Sequence, residues 1–166
     1  MTSRRRSGNG NAILEFTLTS IPLMFLLISL VQMCLGMWNY HTLAETIKLA
    51  CRTAAVRGTD CAGLGCAMTV GDIAKLIVAK GTGLMPGSLN VTLTSASGNI
   101  NCDPITSCYT SATTWPPSGG NTVTSVISIT GSYTFNSALS MVAPGGGTVP
   151  FRPVTFYAVS QQPITF

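Results

Sequence analysis

From Phe16 to Trp38 the chain has no charged position, and the run IPLMFLLISLVQMCLGMW is mostly large and apolar. About 20 such residues are what a helix needs to cross a hydrocarbon core of roughly 30 Å. Cys34 is the one ionisable side chain within residues 16–38. The pattern then changes. In NYHTLAETIKLACRTAAVRG, Leu43, Ile47, Ala50, Cys51 and Ala54 recur at helical spacing, while Glu45, Lys48 and Arg52 fall on other faces. That spacing predicts that the same helix continues as an amphipathic one. Gly58, just after Arg57, is a natural stop. The expectation is one long helix over residues 11–58, with Pro22 kinking it or loosening one turn.

Past Gly58 the signals are shorter. Ile73, Leu76 and Ile77 mark the buried side of a second helix over Val70 to Lys80, with Thr69 as its cap and Gly81 as its terminator. Period two follows. Leu89, Val91 and Leu93 alternate with Asn90, Thr92 and Thr94. Val123, Ile127, Ile129, Tyr133 and Phe135 share one face of a longer strand, in which Gly131 suggests a bulge. Val154, Phe156 and Ala158 share a face in a last strand fenced by Pro150 and Pro153. Between the first two strands lies SASGNINCDPITSCYTSATTWPPSGG, a variable loop over about 95–121 whose length reads as functional or disordered. The predicted fold class is α+β: a long N-terminal helix, a second short helix and a small antiparallel sheet of about three strands. Residues 59–166 would form the α+β head.

Charge adds a direction. Only 8% of the residues are charged, and three of the nine basic ones are Arg4, Arg5 and Arg6. The remainder is close to neutral, without the basic face that nucleic acid requires. Arg4 to Arg6 precede the span and no basic residue follows it until Lys48. This predicts residues 1–10 as a cytoplasmic basic leader, with everything past about Tyr40 outside the cytoplasm. A cleavable secretory signal is the rival reading. Its apolar core would span about 7–15 residues before a small-x-small site. This run is longer, and MWNYHTLAE offers only Thr42 and Ala44.

Of six cysteines, Cys34 lies in the span and Cys51 on the helix after it. Cys61, Cys66, Cys102 and Cys108 are external, and an even set in an oxidising compartment reads as two disulfides with three connectivities open. Local pairs, Cys61 with Cys66 and Cys102 with Cys108, are the favoured choice, with Cys51 able to intrude on the first. No CxxC pair occurs and the one histidine, His41, sits at the membrane boundary, so no metal site is expected. The external acids Glu45, Asp60, Asp72 and Asp103 build no nucleophile-base-acid set. Neither enzyme activity nor a cofactor is expected.

The start of the chain carries the most specific pattern. Cutting after Gly10 would make Asn11 the new N-terminus and Glu15 the fifth residue. A basic leader, a glycine, four residues, a glutamate and an apolar helix together resemble the class III signal of type IV pilins. A carboxylate at the centre of a membrane helix costs about 2.5–3.5 kcal/mol, less near an interface, so such acids are functional candidates. The plainer account is that a glutamate in a first helical turn faces the positive end of the helix dipole. More widely, Arg5 and Arg6, Glu15-Phe16 and LAETIKLACRTAAVRG resemble the TadE-like family, the pseudopilins of tight-adherence (Flp) pilus systems. ITGSYTFNSALSMVAPGGGTVPFRPVTFYAVS resembles that family's late strands. Gly8, a second conceivable cut site, and the cysteine-bearing central loop depart from the pattern.

The resemblance implies a pilin-like subunit in the bacterial inner membrane, its head periplasmic or carried into an extracellular pilus. A prepilin peptidase would process it at Gly10 and Asn11. Glu15 would then meet the freed amine of Asn11 on a neighbouring or the same chain. Its partners would be other pilin-like subunits, the lipid bilayer and, indirectly, the tight-adherence platform and its ATPase. That ATPase must be separate, because no GxxxxGK[ST] loop occurs in this chain. The alternative is a signal-anchored extracytoplasmic binding module that is neither processed nor polymerised.

Overall fold

Helix α1 (Asn9–Val56) runs without interruption for 48 residues, and Pro22 lies inside it without ending it. The structure is a computed structural model describing residues 9–57, 65, 67–122, 124–136 and 153–164. After α1 come α2 (Val70–Lys80), β1 (Leu89–Ser95), β2 (Gly98–Cys102), β3 (Val126–Phe135) and β4 (Val154–Pro163), with three short 3-10 turns between them among the described residues. The architecture is α+β, as the patterning predicts. Gly58, expected to stop the first helix, and Val123, expected on the long strand, lie outside the described residues. At the end of α1 the Arg57 amide donates to the Thr53 carbonyl at 3.1 Å, and the Arg57 carbonyl accepts from the Met68 amide at 3.2 Å.

Two compact units are distinguished, the first containing α1 as far as Leu35 and the second Gly36–Asn136 together with β4. In the second unit Leu43, Ile47, Ala50, Cys51 and Ala54 are completely buried. They are the residues whose spacing marks the amphipathic half of the helix. Their charged neighbours Glu45, Lys48 and Arg52 remain exposed.

The strands form one antiparallel sheet in the order β2-β1-β3-β4. Leu89, Val91 and Leu93 of β1 pair with Tyr133, Gly131 and Ile129 of β3, and Gly131 in turn pairs with Ala158 of β4. These residues are buried. Thr92, Ser128, Thr130 and Ser132 fall at the alternate, half-buried positions. β3 pairs continuously on both sides, so the bulge expected at Gly131 is absent. The glycine serves a different purpose. A Cβ there would lie 2.7 Å from Ile47 Cδ1 and 3.2 Å from Leu43 Cδ1. Gly131, paired with Val91 and Ala158 on either side, thus lets Ile47 and Leu43 of α1 come close to the sheet.

α2 starts with the expected Thr69 cap, completed as a reciprocal capping box with Asp72. The chain between β1 and β3 departs from the loop reading. It turns back at Ala96-Ser97 to make β2, a fourth strand, and then forms a 3-10 turn at Ile105–Cys108. Cys102, Ile105, Cys108 and Trp115 from this stretch all enter the core. Its carbonyls also serve α2: Thr113 and Ser111 accept from the Val70 and Gly71 amides at 2.9 and 3.1 Å. The first orphan donors of the helix are thereby satisfied. Gly71 allows this approach, because a Cβ there would stand 2.7 Å from the Tyr109 carbonyl.

Candidate functional site

The first half of α1 shows its apolar side chains outward. Phe16, Leu18, Leu26 and Met33 are each about 70% exposed, and none of the most apolar 18-residue window is buried in the chain. Covering one such side chain is worth roughly 1.5–3 kcal/mol. A helix that is apolar all round belongs in lipid or in the core of an assembly. With a mean hydropathy of 2.1 in its best window, α1 is long and apolar enough to cross a membrane, a property shared by membrane anchors and by signal sequences near an N-terminus.

The polar residues of its first turns are arranged compatibly with lipid. Thr17 Oγ1 donates to the Ile13 and Leu14 carbonyls at 3.1 and 3.0 Å, and Thr19 Oγ1 to those of Glu15 and Phe16 at 3.0 and 3.1 Å. Each hydroxyl is satisfied by its own helix, which a hydrocarbon environment demands. Glu15 is different. Its side chain is exposed, and no described residue pairs with its carboxylate. It also lies beyond the first turn of α1, which contains no acid. The dipole account of Glu15 weakens accordingly, since that effect fades within one turn. Gly10 and Asn11 belong to the helical backbone of α1, while Arg4, Arg5 and Arg6 fall outside the described residues.

No family model, curated relative or solved structure matches this chain.

The cysteines separate by environment. Cys102 and Cys108 form the expected disulfide, with Cα atoms 5.6 Å apart. Cys61 and Cys66 lie outside the described residues. Cys34 is free and exposed, and Cys51 is free and buried. Cys51 therefore does not intrude on a disulfide. Its Sγ donates to the Ser160 carbonyl at 3.4 Å, and burial pushes its thiol above the ordinary range, the hydrogen bond to Ser160 offsetting only part of that rise. A thiol held this way is inert. Among the described residues no three His, Cys, Asp or Glu side chains come together as metal ligands would.

One feature escapes a reading along the chain. An open groove of about 470 Å³ runs beside the middle of α1, between Trp38, His41, Thr42, Glu45, Thr46 and Leu49 on the helix and Lys80, the last residue of α2, with Thr82 just beyond it. The positions 38, 41, 42, 45 and 49 follow helical spacing, which marks them as one face. Nothing in the spacing announces that Lys80 faces them.

Proposed function

We propose that this protein is a minor pilin or pseudopilin of tight-adherence type, made in the bacterial inner membrane with its N-terminus cytoplasmic. A prepilin peptidase removes the leader after Gly10, and Glu15 then meets the α-amino group of Asn11 as subunits leave the bilayer for a filament. The observation that carries this reading is a single helix with two surfaces: an uncovered apolar half bearing near its start a carboxylate with no partner among the described residues, and a second half seated in the core of a small head. One helix of this kind links a membrane-stored or filament-packed stem to a displayed domain. The glutamate sits where a freed ammonium would be four residues away, and such a pairing sets position and register more surely than it adds net stability.

Mass spectrometry of the mature N-terminus tests the reading. A start at Asn11 is expected in a strain with a working prepilin peptidase, and Gly10→Leu should leave the leader attached. An intact Met1 start in that strain would favour the unprocessed, signal-anchored binding module instead.

A further inference from the structure

The sheet ends on two unlike edges. β2 is five residues long and runs straight into Asp103 and Pro104, so it offers little to a further strand. β4 is ten residues long and pairs with β3 at every one of them. Among the described residues nothing pairs with its other side. It also lacks the usual protections of a free edge. No side chain in VTFYAVSQQP is charged, no bulge interrupts the pairing, and prolines stand only before the strand and at its last position.

The direction of its backbone groups follows from the end of the ladder. The Ile164 amide donates to the Ser125 carbonyl at 2.9 Å, and the Ile164 carbonyl accepts from the Thr124 amide at 3.0 Å. Bonded and non-bonded pairs alternate along an antiparallel ladder. Counting back, Val154, Phe156, Ala158, Ser160 and Gln162 turn their N–H and C=O groups toward β3. Thr155, Tyr157, Val159 and Gln161 turn theirs outward. Pro163, which has no N–H, falls at an outward position, as this alternation requires. Each of the four outward residues thus leaves a donor and an acceptor without a strand. Tyr157 and Val159 among them are 66% and 61% exposed.

We propose that β4 is a docking edge for an extended, uncharged segment of another polypeptide, which adds antiparallel as a fifth strand. Main-chain bonds to the four outward residues supply the affinity. Tyr157 and Val159 select aromatic and β-branched neighbours across the new pair. A charged segment gains nothing, because β4 has no charge to meet it. A second copy of this chain fits less well. α1 runs beside β4 in the same direction: a Cβ on Gly36 would lie 3.6 Å from the Phe156 ring, and the Cys51 thiol reaches the Ser160 carbonyl. Antiparallel pairing of two β4 strands would turn one copy end for end, and the two chains would enter their heads from opposite ends. Subunits anchored in one membrane share one orientation, so the choice of partner rests on the anchored reading. The free edge does not.

Amide hydrogen exchange followed by NMR on the full chain in detergent micelles tests the proposal, with an end-capped synthetic peptide VTFYAVSQQ as the probe. This peptide has the alternation that the edge selects and, having no stem, can take the antiparallel orientation. In the dilute chain Thr155, Tyr157, Val159 and Gln161 should exchange fast, and Phe156, Ala158 and Ser160 slowly. The peptide should slow the first set by about ten-fold, the factor that one net backbone hydrogen bond supports, and leave the second set unchanged. A control peptide with prolines for its central alanine and valine lacks a donor on each edge and should do nothing. Val159→Pro and, separately, Tyr157→Pro should abolish the slowing, since each removes an outward N–H while the ladder to β3 keeps its bonds. Protection at Phe156 and Ala158 checks that each variant folds. Slow exchange of all β4 amides in the dilute chain, no slowing by the peptide, or equal slowing by the control overturns the inference. Protection that rises with protein concentration in the absence of peptide assigns the edge to a second copy and overturns the choice of partner. An unprocessed N-terminus would remove the pilin reading and leave these exchange rates as they are.

Discussion

The hydrogen atom at Gly131 is what lets α1 lie on the sheet. Ile47 is fully buried and its Cγ1 would be 2.9 Å from a Cβ at this position, so the isoleucine has nowhere to swing. Gly131→Ala should cost about 1–3 kcal/mol, the usual range for overpacking a core. Guanidinium unfolding in detergent, followed through the buried Trp115, measures it. Ile47→Val removes the clashing methyl, so the double variant should lose less than the two single losses added together. A neutral Gly131→Ala would refute this close approach. Thr69 offers a second residue-scale test. Its Oγ1 accepts from the Asp72 amide at 3.1 Å and donates to the Asp72 carboxylate at 2.7 Å, and Lys75 adds a weaker attraction. These contacts, led by the Thr69 hydroxyl, hold the Asp72 carboxyl below its ordinary value of 3.8. A depressed acid contributes stability above the unfolded-state value and loses it as pH falls through the folded one. Thr69→Ala should therefore cost about 1 kcal/mol at neutral pH. The gap between native and variant should narrow below pH 4, and a gap independent of pH would argue against the capping box.

At the scale of elements, the stretch from β2 to Trp115 acts as a brace rather than a loop. It supplies core side chains, a strand and the carbonyls that finish α2. Cys102 and Cys108 are six residues apart, and closing so short a loop is worth about 2 kcal/mol in the chain-entropy account. Replacing both by alanine should lose that amount. It should also speed hydrogen exchange at the Val70 and Gly71 amides, whose acceptors the brace carries; unchanged exchange would mean that the brace holds without its disulfide. This element was the least legible in the sequence. GNINC sets only two apolar residues, Ile100 and Cys102, in alternation with asparagines, only Cys102 of β2 is buried, and its pairing is set by a two-residue turn with no asparagine-glycine signal. The amphipathic half of α1 and the cap of α2 were legible because local spacing decides them. In the sequence alone Gly131 suggests a bulge, because a glycine in a strand marks either a bulge or a close approach. Only the distant Ile47 distinguishes the two. The groove beside α1 was half legible for the same reason, its α1 face lying in one helical period and its lysine arriving from another element.

For the whole molecule, the division of α1 into an uncovered half and a buried half separates two kinds of damage. Substitutions in the buried half should unfold the head, whereas those near the start should leave the head intact and affect only what the stem meets. Glu15 is the clearest case, being exposed and distant in sequence from every core residue. On the proposed reading, Glu15→Ala leaves insertion unchanged, because it removes a polar group from a helix that needs none to enter lipid. Assembly suffers instead. Losing one partner of a buried charge pair between subunits costs about 2–5 kcal/mol, and ten-fold follows from each 1.4 kcal/mol, so filament yield should fall by at least about ten-fold. Glu15→Gln retains the shape and an acceptor oxygen but not the charge, so its yield should lie between the two. Immunoblots of membrane and sheared surface fractions separate insertion from assembly. Equal membrane levels with a graded surface loss from glutamate to glutamine to alanine mean that charge, rather than bulk or helix propensity, is what the carboxylate contributes. Normal surface yield in the alanine variant would leave Glu15 without an assembly role and return the apolar half of α1 to the status of a simple anchor.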